Sequence, residues 1–387
     1  MKIYSSEYIS SGHPDKLADL ISDAVLDEYL KIDKDSHVAC ETLISHNLVV
    51  IAGEVTTSKS FDIDYKNIIN NVLKSEGYGE PESGFNIEQY KLVVNINQQS
   101  QNIYDAVNNS FEIRSNYSNH ENDKIGAGDQ GIVIGFACDE TDVYMPIAYI
   151  IARELVNKVE YLRKEKKLKY LRPVCKSLVT VSFEDDMIHV ESIVLSTQHS
   201  SDVKNDTIVK DLLTLVINES KYSHYIDDNT RILINPSGNF CIGGPQADTG
   251  LTGRKIIVDS YGGRVRHGGG AFSGKDPTKI DRSGAYLCRW IAKNIVAQGY
   301  AKQCEVELTY AIGVANPLIL SLNCFSTETV PIATLKKAIY NTFEMQPMAI
   351  IKKLGLLEPI YEETVRKGHF GYNDCFPWET EKLIIFD

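Results

Sequence analysis

The segment Gly243 to Tyr286, GGPQADTGLTGRKIIVDSYGGRVRHGGGAFSGKDPTKIDRSGAY, sets the terms for the rest of the chain. It holds eleven of the 26 glycines, too many for helix or strand to absorb, so most of it must run as irregular backbone supported from outside. Along it stand Arg254, Lys255, Arg264, Arg266, Lys275, Lys279 and Arg282 against four aspartates, in a chain whose formal net charge is -12. Cations on side-chain-poor backbone suit a polyanion: glycine lets N–H groups approach the ligand, and Lys and Arg supply the countercharge. Gly269, Gly274 and Lys275 have the spacing of a P-loop, but Asp276 stands where Ser or Thr should ligate Mg²⁺, and the nearest strand-like run, Lys255 to Ser260, ends too far upstream. The local pattern instead predicts that Asp276 caps a helix with Pro277 at its first position, leaving Lys275 and Lys279 at the positive end of the dipole.

A chain of 387 residues is too long for one ordinary core and predicts two or three domains. Its acidic balance argues against nucleic acid as the main partner. The start, MKIYSSEYISSGHPDK, lacks an apolar targeting run and no later stretch approaches a membrane span, so a soluble, cytoplasmic protein is expected. Eight scattered cysteines without a CxxC pair read as reduced packing thiols rather than disulfides or a zinc site.

Residues 14 to 31 predict a helix opened by Pro14, with Leu17, Leu20, Ile21, Ala24, Val25 and Leu30 on one apolar face. Asp15, Asp19, Asp23 and Asp27 repeat at i, i+4, where like charges repel, so either cations or a metal meet some of them or Asp19 to Asp27 form a solvated acidic face. Asp15 lies beside His13 at the helix mouth, a place for Mg²⁺ with phosphate ligands of its own. His37 to Ile44 and Leu48 to Thr57 read as a hairpin about Ser45-His46-Asn47, with Glu41 and Glu54 on opposite faces unless Gly53 marks a bulge. A helix (64–74) and a strand (91–97) follow, then a polar tract, 98–124, without clear secondary structure and expected as a mobile lid or disorder. A strand (132–137), a long helix after Pro146, a hairpin (178–183, 188–196) turned at Asp185-Asp186, a helix (205–222) and a strand (231–234) precede the glycine-rich segment. Its helix is expected to run to about Ala297 with Cys288, Ile291, Ala292 and Ile295 inward, before a third strand pair (305–313, 318–323). The order predicts an α+β fold of three structurally similar units with pseudo-threefold symmetry, each a small mixed or antiparallel sheet backed by helices. The expected divisions are 1–100, a lid at 101–125, 126–240, and 241–387 with the Gly/Lys-rich block.

The stretches SSGHPDKLADLISDAVLD, ACETL, GEVTT, GAGDQG, IVLSTQHS, INPSGNF, GGPQADTGLTGRKIIVDSYGG, RHGGGAFSGKDPTKIDRSGAY, YAIGVANP and GHFG with FPWE, in this order, resemble the methionine adenosyltransferase (S-adenosylmethionine synthetase) family over nearly the whole chain. The resemblance implies attack of the methionine sulfur on C5′ of ATP, loss of tripolyphosphate, and its hydrolysis to pyrophosphate and phosphate. It implies that His13 donates to the bridging oxygen at C5′ and that Asp15 and Asp281 bind two Mg²⁺ per site. Lys176, Arg254, Lys255 and Lys275 would hold the triphosphate, with His13, Lys176, Arg254 and Lys275 as the catalytic set. Ala271, Asp248 and, beside the adenine, Phe240 would complete the ATP site. Glu54, Gln99, Asp129, Asp248 and Lys279 would meet L-methionine, and Glu41 a K⁺. A homodimer with a shared active site, or a homotetramer, is implied as well.

Two positions depart from the family pattern. LRPVCKS stands for LRPDAKS, so Val174 replaces an acid that could accept from a ribose hydroxyl, and Asn239 replaces an Arg beside Phe240. The tract after Gln99 is longer than the family's and lacks its QSPDI form. Rival readings of the same phosphate bed are an ATP-dependent kinase or ligase, releasing ADP or AMP, and a catalytically weak nucleoside-binding paralogue.

Overall fold

The computed structural model describes residues 2–79, 82–184, 187–373 and 375–386, the side chains of 101–104 excepted. Its strands are β1 (Lys2–Ile9), β2 (His37–Ser45), β3 (Leu48–Thr56), β4 (Lys91–Asn97), β5 (Gly131–Cys138), β6 (Leu171–Glu184), β7 (Met187–His199), β8 (Arg231–Ile234), β9 (Gly250–Leu251), β10 (Gln303–Tyr310) and β11 (Ile319–Asn323). They form three sheets, ordered β1-β6-β7-β8, β11-β10-β5 and β4-β3-β2-β9. The first and third share one plan. An antiparallel hairpin (β6/β7, β2/β3) is flanked by an antiparallel strand on one side (β1, β9) and a parallel strand on the other (β8, β4). The expected three-unit α+β architecture is present.

Every sheet is completed from a distant part of the chain. β1 pairs with β6 from Lys2↔Phe183 to Ile9↔Lys176, β5 pairs with β10, and β9 reaches β2 through Leu43↔Leu251 and Ile44↔Gly250. β1 has no counterpart in the sequence expectations, because KIYSSEYI buries side chains mainly toward its end and alternates poorly.

Each sheet rests on one long helix. The Pro14–Ile32 helix starts at Pro14, whose missing N–H costs nothing there, and buries Leu17, Leu20, Ile21, Val25 and Leu30 completely against β2 and the Tyr65–Ser75 helix. The Ile147–Lys164 helix covers β1 and β6, and the Ile280–Ala297 helix covers β5 and β10 with Cys288, Ile291, Ala292 and Ile295 inward as expected. At Gly135 on β5 any side chain would collide with this helix, since a Cβ would lie 2.0 Å from the carbonyl carbon of Cys288.

Three local expectations are corrected. Residues 98–124 are not structureless: they contain the Gln101–Asn108 helix, a helical turn Phe111–Arg114 and a 3₁₀ turn Glu121–Asp123. The polar residues that suggested a loose tract are engaged: the Ser110 hydroxyl caps a turn by accepting from Ile113 N–H, and the Glu112 carboxylate accepts from the distant Ala315 and Asn316 N–H groups. Residues 255–260 hold a short helix, Ile256–Asp259, rather than a strand. The segment 205–222 is an α-helix only over Asn205–Leu212, then widens into a π-type turn, Leu213–Ile217. The turn at Asp185-Asp186 lies outside the described residues. No described helix is long and apolar enough to cross a membrane.

Candidate active site

The glycine-rich segment is fastened along one line of the Pro14–Ile32 helix. Asp15, Asp19 and Asp23 recur every four residues, about 6 Å apart along the axis, and accept in turn from the N–H groups of Leu251 (3.0 Å), Gly253 (2.9 Å) and Gly274 (2.7 Å). Asp27 continues the line, accepting from Tyr361 (3.0 Å) and Glu362 (2.8 Å) at the start of the Tyr361–Lys367 helix. All four are buried, so a solvated acidic face is ruled out. Their mutual repulsion is offset by individual partners: Lys255 on Asp15 (2.7 Å), Lys16 on Asp19 (3.1 Å) and Arg282 in a two-pronged, fully buried pair with Asp23 (2.7 and 2.6 Å). Burial pushes the Asp19 and Asp27 carboxyls up to about 7, against the pull of Lys16 on the first and of the two backbone N–H groups on the second. Gly253 (φ +80) and Gly274 (φ +78) turn through left-handed backbone, and a Cβ on Gly274 would fall 1.8 Å from the Cys40 carbonyl oxygen.

Two cationic clusters stand on this support. In the first, His13 caps the helix and its Nδ1 accepts from Asp15 N–H at 3.2 Å, which places the ring proton of the neutral imidazole on Nε2. Burial lowers the His13 pKa to about 3, with Lys176, Lys255 and Lys16 adding to the effect and Asp15 opposing it. His13 is therefore a neutral donor at any ordinary pH. Burial raises the Asp15 carboxyl, but the Lys255 and Leu251 hydrogen bonds outweigh it and hold Asp15 below the usual range. The half-exposed Arg254 approaches Asp15 at 3.7 Å, and Lys176, exposed on β6, faces Ile9 across the sheet.

In the second cluster Lys275 pairs with Asp281 at 2.6 Å. The neighbouring Asp276 is buried and accepts from Val38 N–H (2.6 Å), Thr278 N–H (2.9 Å) and the Lys279 ammonium. Because that carboxylate clamps β2 and its own tight turn, the helix begins at Ile280 with Lys279 as its N-cap, not at Pro277 as the sequence predicts. The loops bearing the two clusters meet where Gly253 passes Ala271; a Cβ on Gly253 would lie 2.6 Å from the Ala271 methyl carbon.

Glu41 and Glu54 share one exposed face of the β4-β3-β2-β9 sheet, contrary to the expectation of opposite faces. The hairpin turns through two residues, His46-Asn47, so Glu41 pairs with Ala52 and Glu54 with Ala39, with no register break at Gly53. A turn one residue shorter moves every side chain of one strand to the other face. Ala39 also bridges to Lys275, so Glu54, Ala39 and Lys275 form one cross-strand row in which the outer two backbones lie about 10 Å apart. Gln99 follows β4 by two residues, and its Oε1 is buried without a donor among the described residues. Asp129 is exposed just after Gly128, whose N–H donates to Thr278 O (2.9 Å), and Asp248 is exposed just before β9. Half-buried Phe240 is held by His199, which donates its N–H to Phe240 O and accepts from Phe240 N–H, each at 3.1 Å. No hydrogen bond or ion pair among the described residues joins Glu41, Glu54, Gln99, Asp129, Asp248 or Phe240 to the lysines of the clusters. The sequence reading missed Arg282 as a support, for which the i, i+4 aspartates were the available signal, and took Asp276 for a helix cap where its carboxylate instead clamps β2 through Val38.

Models of the S-adenosylmethionine synthetase N-terminal, central and C-terminal domains match residues 1–101, 124–240 and 242–380 in that order. The chain belongs to the S-adenosylmethionine synthetase family. Proteins named S-adenosylmethionine synthase from two strains of Staphylococcus epidermidis are each 47% identical to it over 381 residues, covering 98% of this chain and 95% of the relative. Membership in the S-adenosylmethionine synthetase family makes the chain an ATP-binding transferase, a chemistry that calls for a metal cofactor.

Proposed function

We propose that the chain makes S-adenosylmethionine from ATP and L-methionine, with both lysine–aspartate pairs exchanging partners when substrate binds. The single observation that supports this most is the parking of Lys255 on Asp15 and of Lys275 on Asp281, at 2.7 and 2.6 Å. A triphosphate chain draws the lysines to its oxygens and leaves two carboxylates for metal. Among the described residues no three His, Cys, Asp or Glu side chains converge on a metal, but Mg²⁺ commonly takes one or two carboxylates and completes its shell with phosphate and water. Asp15 and Asp281 fit that demand, and two Mg²⁺ held there supply positive charge to the departing polyphosphate.

The protein's own groups carry the remaining work. The methionine sulfur forms a bond to C5′ while the C5′–O bond breaks, and the electron pair leaves on the bridging oxygen. His13 Nε2–H stabilises that oxygen as a neutral donor. Lys176, Arg254, Lys255 and Lys275 hold the phosphates so that the sulfur lies in line with the breaking bond. Water then cleaves tripolyphosphate to pyrophosphate and phosphate on the same bed. Lys279, Asp129, Asp248, Glu54 and Gln99 orient methionine, Phe240 and Ala271 border the nucleoside, and residues 101–125 cover the site.

The same reading includes a homodimer. Glu41, Glu54 and the 36%-exposed Val93 leave the face of the third sheet open, and the His13 and Lys275 clusters have no bond to each other among the described residues. A second copy packed on that face brings one copy's His13 cluster to the other's Lys275 and Glu54. Glu41, a single exposed carboxylate, would contribute one charged oxygen ligand to a K⁺. Eight free cysteines, six of them buried, suit a reducing cytoplasm.

The test is product identification after incubation with ATP, methionine, Mg²⁺ and K⁺. S-adenosylmethionine, pyrophosphate and phosphate are expected, with Lys275→Met slowing turnover by about 10²-fold or more. ADP or AMP as the nucleotide product, no product, or a Lys275→Met variant at the parent rate would overturn the proposal.

A further inference from the structure

A cavity of about 1050 Å³ opens between the end of the Ile147–Lys164 helix, the start of β6 and the end of β7, and none of its lining residues belongs to the site described above. Five cations border it, Arg163, Lys164, Lys166, Lys169 and Arg172, against the acids Glu82 and Asp202. In a protein of net charge -12 such a concentration is unusual. Lys164 leans on Glu76 (3.6 Å) and Glu160 (4.0 Å), and Arg172 on Glu82 (2.9 Å). Asp202 is engaged by the Ser200 hydroxyl. Lys166 and Lys169 have no carboxylate partner among the described residues.

The deeper wall carries the stronger signal. Arg163 is only 11% exposed, yet its buried Nε and Nη2 make no hydrogen bond among the described residues, with Glu160 3.8 Å from Nη2. The buried Nε of Arg172 is equally without an acceptor. Guanidinium N–H groups removed from water without a partner cost about 1–3 kcal/mol each, so a site that holds several of them beside free lysines is built for an acceptor-rich ligand. Gly77 makes room for this arrangement, because a Cβ there would lie 2.5 Å from Arg163 Nη1. Tyr170 adds a half-buried ring to the wall.

We propose that this cavity binds a linear polyphosphate, free or as the tail of a nucleotide, at a site separate from the catalytic one. Planar guanidinium groups and lysine ammoniums both match phosphate oxygens, and the volume accepts three linked phosphoryl groups with space left beside Tyr170.

Binding is measured calorimetrically on the full-length protein with Mg²⁺ and without methionine, in one arm with inorganic tripolyphosphate and in the other with ATP. The expected result is two sites per chain for at least one of these ligands, the catalytic bed and the cavity. The arm that fills the second site names the source, the free anion or the nucleotide tail. In the Lys166→Gln/Lys169→Gln double variant, both exposed positions, the second site weakens by about tenfold or more while S-adenosylmethionine synthesis without added polyphosphate stays at the parent rate. Superimposable isotherms for parent and double variant, or one site per chain in both arms, would overturn the proposal. Site number and the double variant's loss of affinity are binding readouts, so the result stands apart from the fate of the catalytic reading.

Discussion

Asp23→Leu tests whether the helix line of aspartates holds the glycine-rich loops in place. The substitution keeps the side-chain branching but leaves the Arg282 guanidinium, wholly buried, with only the Thr364 hydroxyl, the Phe272 and Lys275 carbonyls and the Tyr286 hydroxyl as acceptors among the described residues. Breaking a buried pair in this way costs about 3–5 kcal/mol. The Gly274 N–H also loses its acceptor, a further penalty of about 1 kcal/mol, for a total near 5 kcal/mol. Urea unfolding followed by circular dichroism at one fixed protein concentration reads this loss. The second variant, Asp23→Leu/Arg282→Met, removes the stranded charge and should recover most of the stability, since a buried ion pair exchanged for apolar side chains is often neutral. It does not restore an acceptor for Gly274, whose neighbour is Lys275, so the KM for ATP should stay raised in the double variant. A single variant within about 1 kcal/mol of the parent, or a double variant with the parent KM, would refute the reasoning.

Two shorter predictions follow from the same geometry. Burial lifts Asp27 to about 7, so between about pH 4 and 7 the folded chain holds a proton that the unfolded chain releases, and unfolding free energy falls as pH rises through that window by up to about 4 kcal/mol. Asp27→Asn, which cannot titrate, should flatten the pH dependence of urea unfolding from pH 5 to 7; equal slopes would remove Asp27 from the account. Val174 lies on β6 two residues before Lys176, 4% exposed, where the family pattern has an acid. Val174→Asp should lower the KM for ATP about fivefold by accepting from a ribose hydroxyl, measured by steady-state kinetics, and an unchanged KM would rule that contact out.

Much of the scaffold was legible because its elements carry strong local signals. Pro14 before a regular apolar face, the β4 run 91–97 and the inward Cys288, Ile291, Ala292 and Ile295 all appear where periodicity puts them. Errors gathered where distant backbone uses a side chain that local rules assign elsewhere. Asp276 looks like a helix cap until Val38, 238 residues away, takes its carboxylate. Ser110 and Glu112 look like loop polarity until the first is seen to cap a turn in the 98–124 tract and the second to take the distant Ala315 N–H. The face of Glu54 hung on whether the hairpin turn held two residues or three, a distinction that Ser45-His46-Asn47 does not make by composition. For the site, residue types announced the lysines and His13, while their supports, Arg282 above all, depend on tertiary pairing.

The pairing of β1 with β6, β5 with β10, and β2 with β9 bears on how the chain acquires its fold during synthesis. While the ribosome is still short of residue 250, the edge of β2 waits for β9 and the acidic line of the first helix lacks Lys255 and Arg282, its chief counterions. A nascent fragment of that length therefore exposes an open strand edge and buried-type carboxylates at once, conditions that invite aggregation. Stability should arrive late and in one cooperative step, and truncation before the glycine-rich segment should leave insoluble protein rather than a smaller folded piece.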